Sequence, residues 1–308
     1  MLRVDPRRNH LYKEARESTQ DRFNDLKKGR TRTPTRKVAH LAAGRRNAQL
    51  RMDRRTFLAK SAAFLIGGLF GSRLSVSAEC FSPLVAHPPR IALIIDDIGF
   101  NLKRAELFLK AEIPITFSVL PRVCWSVESA MALHAQGHEI MLHQPMEPYS
   151  TEVDPGPGAI FVDDRPECIR QVVAENIARL PHVVGVNNHM GSRYTQQPQK
   201  MGQALDVVRN RGLFFVDSLT SGHSTAYACA RQMGMSTIRR DLFIDNQREV
   251  SSVTRQMKRL RVLAQKHGSA IGIGHPRPDT AEGIMRFLET PESRDVTFVY
   301  MSQMIDRL

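Results

Sequence analysis

The chain has 308 residues, of which 42% are hydrophobic, and it carries a formal net charge of +13 at pH 7. This length allows one large domain with appendages and excludes three compact domains of ordinary size. The charge argues against a nucleic-acid-binding globular domain, because residues 1–51 hold 15 Lys and Arg against 5 Asp and Glu, and so contribute +10 of the +13.

Residues 1–51 are predicted to be a basic, disordered and solvated extension. Met52 is an alternative start, in which case the extension is not translated. Contact of this extension with acidic lipid or nucleic acid is the other interpretation.

Residues 52–78 resemble a twin-arginine signal peptide. The Arg54-Arg55 pair precedes an apolar run at 62–70, and Val76-Ser77-Ala78 supplies the small residues that a signal peptidase requires. The apolar run is shorter than the roughly 20 residues that span a bilayer, so no stable membrane span is expected once the signal is removed. The alternative is an N-terminal amphipathic or membrane-anchoring helix. The signal predicts a periplasmic or secreted protein.

Residues 79–308 are predicted to form one domain in which strands and helices alternate. The first strand, at 91–95, is continuous and β-branched, which is typical of a strand buried on both faces. Further strands are predicted at 115–120, 139–142, 183–186, 213–216, about 237–243, 269–273 and 296–300, with helices near 102–110, 127–136, 166–179, 199–210, 224–233, 247–266 and 279–289. This order predicts an α/β fold, either a distorted (β/α) barrel of seven to eight βα units or a doubly wound sheet. The barrel is favoured because polar residues follow successive strands, where barrel enzymes place their catalytic groups.

The first strand ends in two adjacent carboxylates, Asp96 and Asp97. Their mutual repulsion at a buried strand end requires a cation or a proton nearby. One carboxylate could bind a metal while the other acts as a base. The alternative is a helix-capping Asp followed by a turn.

Four later strand ends also carry groups suited to catalysis. His143 follows the third strand and His189 the fourth, and both are candidate metal ligands. His275 follows the seventh strand and is suited to proton donation. Asp217, after the fifth strand, could fix the tautomer of His275, and Arg193 could keep a carboxylate ionised or bind substrate.

Acidic and imidazole groups at five strand ends favour one shared site, because buried ionisable groups need partners. One of the two aspartates with His143 and His189 would form an Asp-His-His set of the kind that holds hydrolytic zinc and leaves positions open.

The sequence resembles the divergent polysaccharide deacetylase family, over about residues 88–305. The segments that carry the resemblance are Ile94-Ile95-Asp96-Asp97-Ile98-Gly99, Pro114-Ile115-Thr116-Phe117, His143-Gln144-Pro145-Met146-Glu147-Pro148, Gly185-Val186-Asn187-Asn188-His189-Met190-Gly191-Ser192 and Ile273-Gly274-His275-Pro276. The resemblance implies a distorted βα barrel and a divalent metal, expected to be zinc. It also implies that Asp96 is a base, Asp97 a metal ligand, His275 an acid and Asp217 the support of that acid.

One motif departs from the wider deacetylase pattern, in which two ligand histidines lie four residues apart. Here that spacing joins His143 to Glu147, so either Glu147 replaces the second histidine or His189 supplies it. His189 is favoured because it keeps the usual ligand types.

The predicted function is that of an exported, metal-dependent hydrolase that deacetylates N-acetylated sugars of a polysaccharide or peptidoglycan-like substrate. Asp96 would take a proton from water, His275 would protonate the leaving amine, and Arg193 would hold Asp96 ionised. The alternative function is a catalytically weak cell-envelope protein that binds glycan or a partner and uses the metal structurally.

Overall fold

A computed structural model describes residues 88–305 of the chain. The predicted basic extension, the predicted signal peptide and residues 79–87 lie outside the described residues, so the assignments made for them stay predictions. None of the helices within 88–305 is both long and apolar enough to cross a membrane.

The described residues form one parallel sheet with helices packed around it. The strands are β1 Arg90–Ile98, β2 Thr116–Val119, β3 Glu139–Met146, β4 Val183–Met190, β5 Phe214–Asp217, β6 Thr237–Arg239, β7 Leu242–Phe243, β8 Ser269–Gly274 and β9 Thr297–Val299. The helices are α1 Leu102–Glu106, α2 Ser126–Ala135, α3 Pro166–Arg179, α4 Pro198–Asn210, α5 Ala226–Gln232, α6 Val250–His267, α7 Pro278–Leu288 and α8 Met301–Ile305. Short 3₁₀ turns cover Leu107–Ala111, Tyr194–Gln196 and Pro291–Asp295.

The strand order curls the sheet into a distorted barrel. Neighbours run β6-β5-β4-β3-β2-β1-β8-β7, and β9 pairs with β1 from outside this path. The first and last strands of this order are consecutive in the chain and are separated by two residues. Strand β6 pairs with β5, whereas β7 pairs with β8. At the break, the Arg240 amide donates to the Asp217 carbonyl and the Asp241 amide to the Ile271 carbonyl. The predicted fold, a distorted βα barrel, is confirmed.

Alternation along the strands separates two cores. In β1, Ile91, Leu93 and Ile95 pack outward against the helices, whereas Ala92 and Ile94 face the barrel interior. The interior core is completed from below by the last described helix, α8. Because side chains alternate along a strand, the next inward residue of β1 is Asp96, which places polar groups directly above the interior core.

Most predicted elements match the observed ones closely, and the larger differences concern a helix and three strands. The predicted helix near 102–110 is α1 followed by a 3₁₀ turn, and the predicted strand at about 237–243 is divided into β6 and β7. Strands β3 and β4 each extend four residues further than predicted, to Met146 and Met190. Their polar residues look like loop in the sequence but pair in register, so His143 and His189 lie within strands rather than after them.

Gly185 gives a stability prediction for the barrel interior. A Cβ atom at this position would lie 2.3 Å from the Phe214 ring of the neighbouring strand. We expect Gly185→Ala to destabilise the protein by about 1–3 kcal/mol, since overpacking forces side chains off their preferred rotamers. The matched control is Gly202→Ala in α4, where a Cβ meets nothing within 4 Å and removal of a helical glycine should stabilise by about 0.5–1 kcal/mol. Urea denaturation measures both, and equal stabilities of the two variants would contradict the prediction.

Candidate active site

A bulge at the end of β1 turns two successive carboxylates toward one site. The pairing of β1 with β2 is in regular register up to Ile95 and shifts before Ile98. Within that interval Asp97 has a φ of 59°, in the left-handed region that a residue other than glycine seldom adopts. Adjacent strand residues would otherwise point to opposite faces, so this strained residue is what brings Asp97 beside Asp96.

Asp97, His143 and His189 meet at the top of the barrel interior. The Asp97 Oδ1 atom lies 3.0 Å from His189 Nδ1 and 3.4 Å from His143 Nε2. The two imidazole nitrogens are 3.1 Å apart. Within 88–305, this is the group of His, Cys, Asp and Glu side chains whose ligand atoms converge closely enough to hold a metal ion.

The chemistry of these three atoms fits a divalent cation. The His143 Nδ1 atom lies 2.8 Å from the Asn187 side-chain oxygen, and donation across this contact by the neutral imidazole leaves Nε2 with a lone pair. Asp97 Oδ1 is buried without a hydrogen bond of good geometry. Ligand atoms about 2.0–2.2 Å from a zinc ion in tetrahedral arrangement lie about 3.4 Å apart, close to the distances found here. Without a cation or a proton between them, the lone pairs would repel one another.

The two carboxylates differ in pKa. For Asp97, burial acts to raise the pKa, but the facing imidazoles of His189 and His143 outweigh it and hold this pKa well below its ordinary value. For Asp96, burial raises the pKa, and the charges of His143 and His275 offset only part of that effect. Asp97 is therefore the better anionic ligand and Asp96 the stronger base.

His275 is held by Asp245, a residue that the sequence analysis did not select. The His275 Nδ1 atom donates to Asp245 Oδ1 at 3.0 Å, and the His275 backbone amide donates to Asp245 Oδ2 at 2.8 Å. Thr280 also donates to Asp245 Oδ2, at 2.8 Å. Burial lowers the pKa of His275, but the hydrogen bond to Asp245 and the nearby carboxylates raise it above the ordinary value.

The prediction that Asp217 supports His275 is wrong. Phe214 and Val216 face the barrel interior, so the next residue, Asp217, points outward. Its carboxylate accepts hydrogen bonds from the Leu219 amide and, at the start of α5, from the Ser224 hydroxyl and the Tyr227 amide. Asp217 therefore organises the loop after β5 instead of the imidazole.

Arg193 also has a different partner from the one predicted. Its guanidinium donates to the Glu147 Oε1 atom at 2.5 Å, and Glu147 Oε2 accepts from the Val162 amide at 2.7 Å. This ion pair joins the loop after β4 to the loop after β3. Glu147 is thus committed to loop structure, and His189 is the residue that completes the cluster with Asp97 and His143.

Arg240, which the sequence analysis also missed, is the arginine whose charge interacts with Asp96. Burial lowers the pKa of Arg240, while the charges of Asp217 and Asp96 raise it. Its guanidinium donates to the Ser218 and Leu219 carbonyls and lies 3.7 Å from the centre of the Phe243 ring. Phe243 in turn stacks against His275, with ring centres 5.9 Å apart.

The sequence contains a signal for Asp245. Phe243 packs with the barrel interior and Ile244 with the outer core, so Asp245 is the next inward position. No comparable signal identifies Arg240, which lies at the break between β6 and β7.

A single cavity of about 490 Å³ opens above these groups. Its wall includes Asp96, Asp97, His143, His189 and His275 together with Phe243. The cluster that could hold a metal ion, the buried carboxylate with a raised pKa and the imidazole with a raised pKa therefore face one space, large enough for a small organic group.

Comparison with known proteins identifies relatives of this sequence and of this fold. The family model described as divergent polysaccharide deacetylase matches residues 93–305. A protein of Haemophilus influenzae, named only as uncharacterized, is 34% identical over 197 residues, which are 62% of this chain and 68% of that protein. The uncharacterized protein YibQ of Escherichia coli is 29% identical over 225 residues, 73% of this chain and 69% of YibQ. The crystal structure of the uncharacterized protein ATU2773 from Agrobacterium tumefaciens has the same fold, with a TM-score of 0.66, 20% identity and coverage of 71% of this chain and 89% of that one.

Proposed function

Because the chain belongs to the divergent polysaccharide deacetylase family, we propose that it is a metal-dependent hydrolase that cleaves the amide of N-acetylated sugars in a polysaccharide. The observation that carries the proposal is the shared cavity. It places the convergent cluster of Asp97, His143 and His189 beside Asp96 and His275.

Asp97, His143 and His189 would hold the metal, with zinc as the expected ion. When bound at such a site, zinc lowers the pKa of a water ligand and polarises a carbonyl oxygen. Three protein ligands facing a cavity leave room for water and substrate, which is the arrangement of catalytic rather than structural zinc sites.

The remaining groups supply proton transfer. Asp96, whose pKa is raised by burial, takes the proton of the attacking water. His275 carries a proton on its other ring nitrogen and gives it to the amine as the carbon–nitrogen bond breaks. Asp245 holds the His275 ring by its Nδ1–H and favours its charged form. Acetate and a free amino sugar are the products.

We also propose that the protein works outside the cytoplasm. The twin-arginine-type segment at 52–78 supports this location.

The proposed activity predicts zinc-dependent release of acetate. We expect the full-length protein, loaded with zinc, to release acetate from N-acetylated chito-oligosaccharides or peptidoglycan fragments. Treatment with a chelator should lower the rate at least about 100-fold, because the loss of a metal forfeits several kcal/mol of transition-state stabilisation. Acetate is measured enzymatically, and the new amine by mass spectrometry.

The control separates an enzyme from a binding protein. His275→Gln leaves the three ligands in place, so it should bind zinc normally while losing most of the acetate release. Zinc and glycan binding by the native protein without any acetate release would reject the deacetylase proposal. It would favour instead a glycan-binding protein that uses its metal structurally.

A further inference from the structure

Asn187 lies between the cluster of possible metal ligands and the carboxylate of Asp96, and it has no part in either. It is on β4, in register with His143 of β3 and Val216 of β5, and it is fully buried. Alternation along β4 directs it inward, below His189. Its buried carboxamide must find partners for two donors and two acceptor positions.

The nitrogen of the Asn187 carboxamide contacts Asp96, and its oxygen contacts the possible metal ligand His143. Its nitrogen donates to Asp96 Oδ1 at 2.8 Å and to the Ser218 hydroxyl at 3.1 Å. Its oxygen accepts from His143 Nδ1 at 2.8 Å and from the Ser118 hydroxyl. An amide nitrogen donates and an amide oxygen accepts, so the nitrogen suits the Asp96 carboxylate and the oxygen suits a protonated Nδ1 of His143.

This orientation determines the state of His143. An amide oxygen accepts but does not donate, so His143 must carry its proton on Nδ1. Its Nε2 lone pair is then left for the cluster with Asp97 and His189. The carboxylate of Asp96 is held by the same group, which has no charge of its own.

We propose that Asn187 is a positioning residue that couples metal binding to the base. It fixes the Nδ1–H tautomer of His143 through its oxygen and orients the Asp96 carboxylate through its nitrogen. The role of Asn187 toward Asp96 rests on the proposed function. Its role toward His143 requires only that Asp97, His143 and His189 bind a metal.

The choice of an amide follows from the neighbours. A metal-bound histidine is commonly oriented by a carboxylate or a carbonyl. A carboxylate at position 187 would lie against Asp96, and two adjacent carboxylates cannot both be ionised without a large rise in one pKa. An amide supplies the acceptor that His143 needs and a donor to Asp96 without added charge.

Two substitutions separate the two contacts. Asn187→Asp keeps an acceptor for His143 but replaces the amide donor to Asp96 with a second carboxyl, and the two carboxyls then share one proton that hinders Asp96 as a base. We therefore expect zinc affinity within about 3-fold of the native value and a kcat for acetate release lowered about 100-fold. Asn187→Leu removes both, and we expect zinc affinity to fall about 10- to 100-fold. Zinc affinity is measured by competition with a chelating dye.

The matched controls are Asn176→Asp and Asn176→Leu. Asn176 is also fully buried, but its carboxamide contacts Arg122, Gln144 and Gly158 in the outer layer. These variants show how much stability is lost when a buried amide is replaced, and we expect their zinc affinity to equal that of the native protein.

Two readouts do not depend on activity, and the first of them needs no variant. Long-range ¹H–¹⁵N spectra of the zinc-loaded native protein should show His143 protonated on Nδ1. In a crystal structure of zinc-loaded Asn187→Asp, the Asp96 carboxylate should have rotated away from its native position. If the protein releases no acetate, the proposed function fails. The tautomer of His143 and the position of the Asp96 carboxylate still test the role of Asn187 in that case. An Nε2–H tautomer of His143, or equal loss of zinc affinity in the two Asn187 variants, would overturn the proposal.

Discussion

Replacing His189 with alanine is expected to abolish tight zinc binding, whereas replacing Glu147 with alanine should leave it nearly unchanged. His189 Nδ1 lies 3.0 Å from Asp97 Oδ1 and 3.1 Å from His143 Nε2, so it supplies one of three ligand atoms. Loss of a group that only orients a ligand already lowers metal affinity about 10- to 100-fold. Loss of the ligand itself should therefore lower it more than about 100-fold. Isothermal titration with zinc gives both dissociation constants.

The Glu147 variant has its own expected effect. Glu147 accepts from the Arg193 guanidinium and the Val162 amide, and its side chain is only 13% exposed. Its removal should lower the free energy of unfolding by about 1–3 kcal/mol, because partners are left unsatisfied. Normal zinc affinity in His189→Ala, together with lost affinity in Glu147→Ala, would mean that the ligand set is Asp97, His143 and Glu147.

The sequence could predict the barrel because its strands differ sharply from their surroundings. Each strand is a short apolar run between helices of amphipathic pattern, and the observed boundaries of most elements fall within two residues of the predicted ones. The convergence of Asp97, His143 and His189 was predictable for a related reason, since the carboxyl ends of barrel strands meet at one face.

The orientation of individual side chains was harder to predict. Phe214, Phe215 and Val216 are all apolar and buried, so the sequence of β5 does not show which of its residues face the interior. Asp217 was selected for its position at a strand end, although it faces outward. Asp245 was missed because it follows a two-residue strand, β7, that the sequence pattern merges with β6.

Long side chains in loops were harder still. Arg193 lies beyond Gly191, whose φ of 82° redirects the chain after β4. Its guanidinium reaches Glu147 instead of Asp96 because of that path. The same limit applies to Arg240, whose place beside Phe243 depends on the break between β6 and β7. The sequence specifies the charge of such residues but not where a flexible side chain ends.

The second large expected effect concerns Asp245, which holds His275 in the place that the sequence analysis assigned to Asp217. Asp245→Asn should lower kcat by about 10²–10⁴, because an amide no longer stabilises the charged imidazole and can favour the wrong tautomer of His275. Asp217→Asn should leave kcat nearly unchanged. Within 88–305, its carboxylate accepts hydrogen bonds from the loop after β5 and the start of α5, and none of these comes from His275. Both are measured as acetate release by the zinc-loaded protein.

The pH dependence distinguishes loss of support for His275 from general damage. Asp245 raises the pKa of His275 through its hydrogen bond and its charge, and an acid must carry its proton to act. Removing that charge lowers the pKa of His275, so the protonated fraction disappears at a lower pH. The alkaline limb of kcat in Asp245→Asn should therefore move to lower pH, while that of Asp217→Asn stays in place. If the limb moved in Asp217→Asn and not in Asp245→Asn, the contact between Asp245 and the imidazole would have no part in proton donation. The acid would then have to be another group facing the cavity.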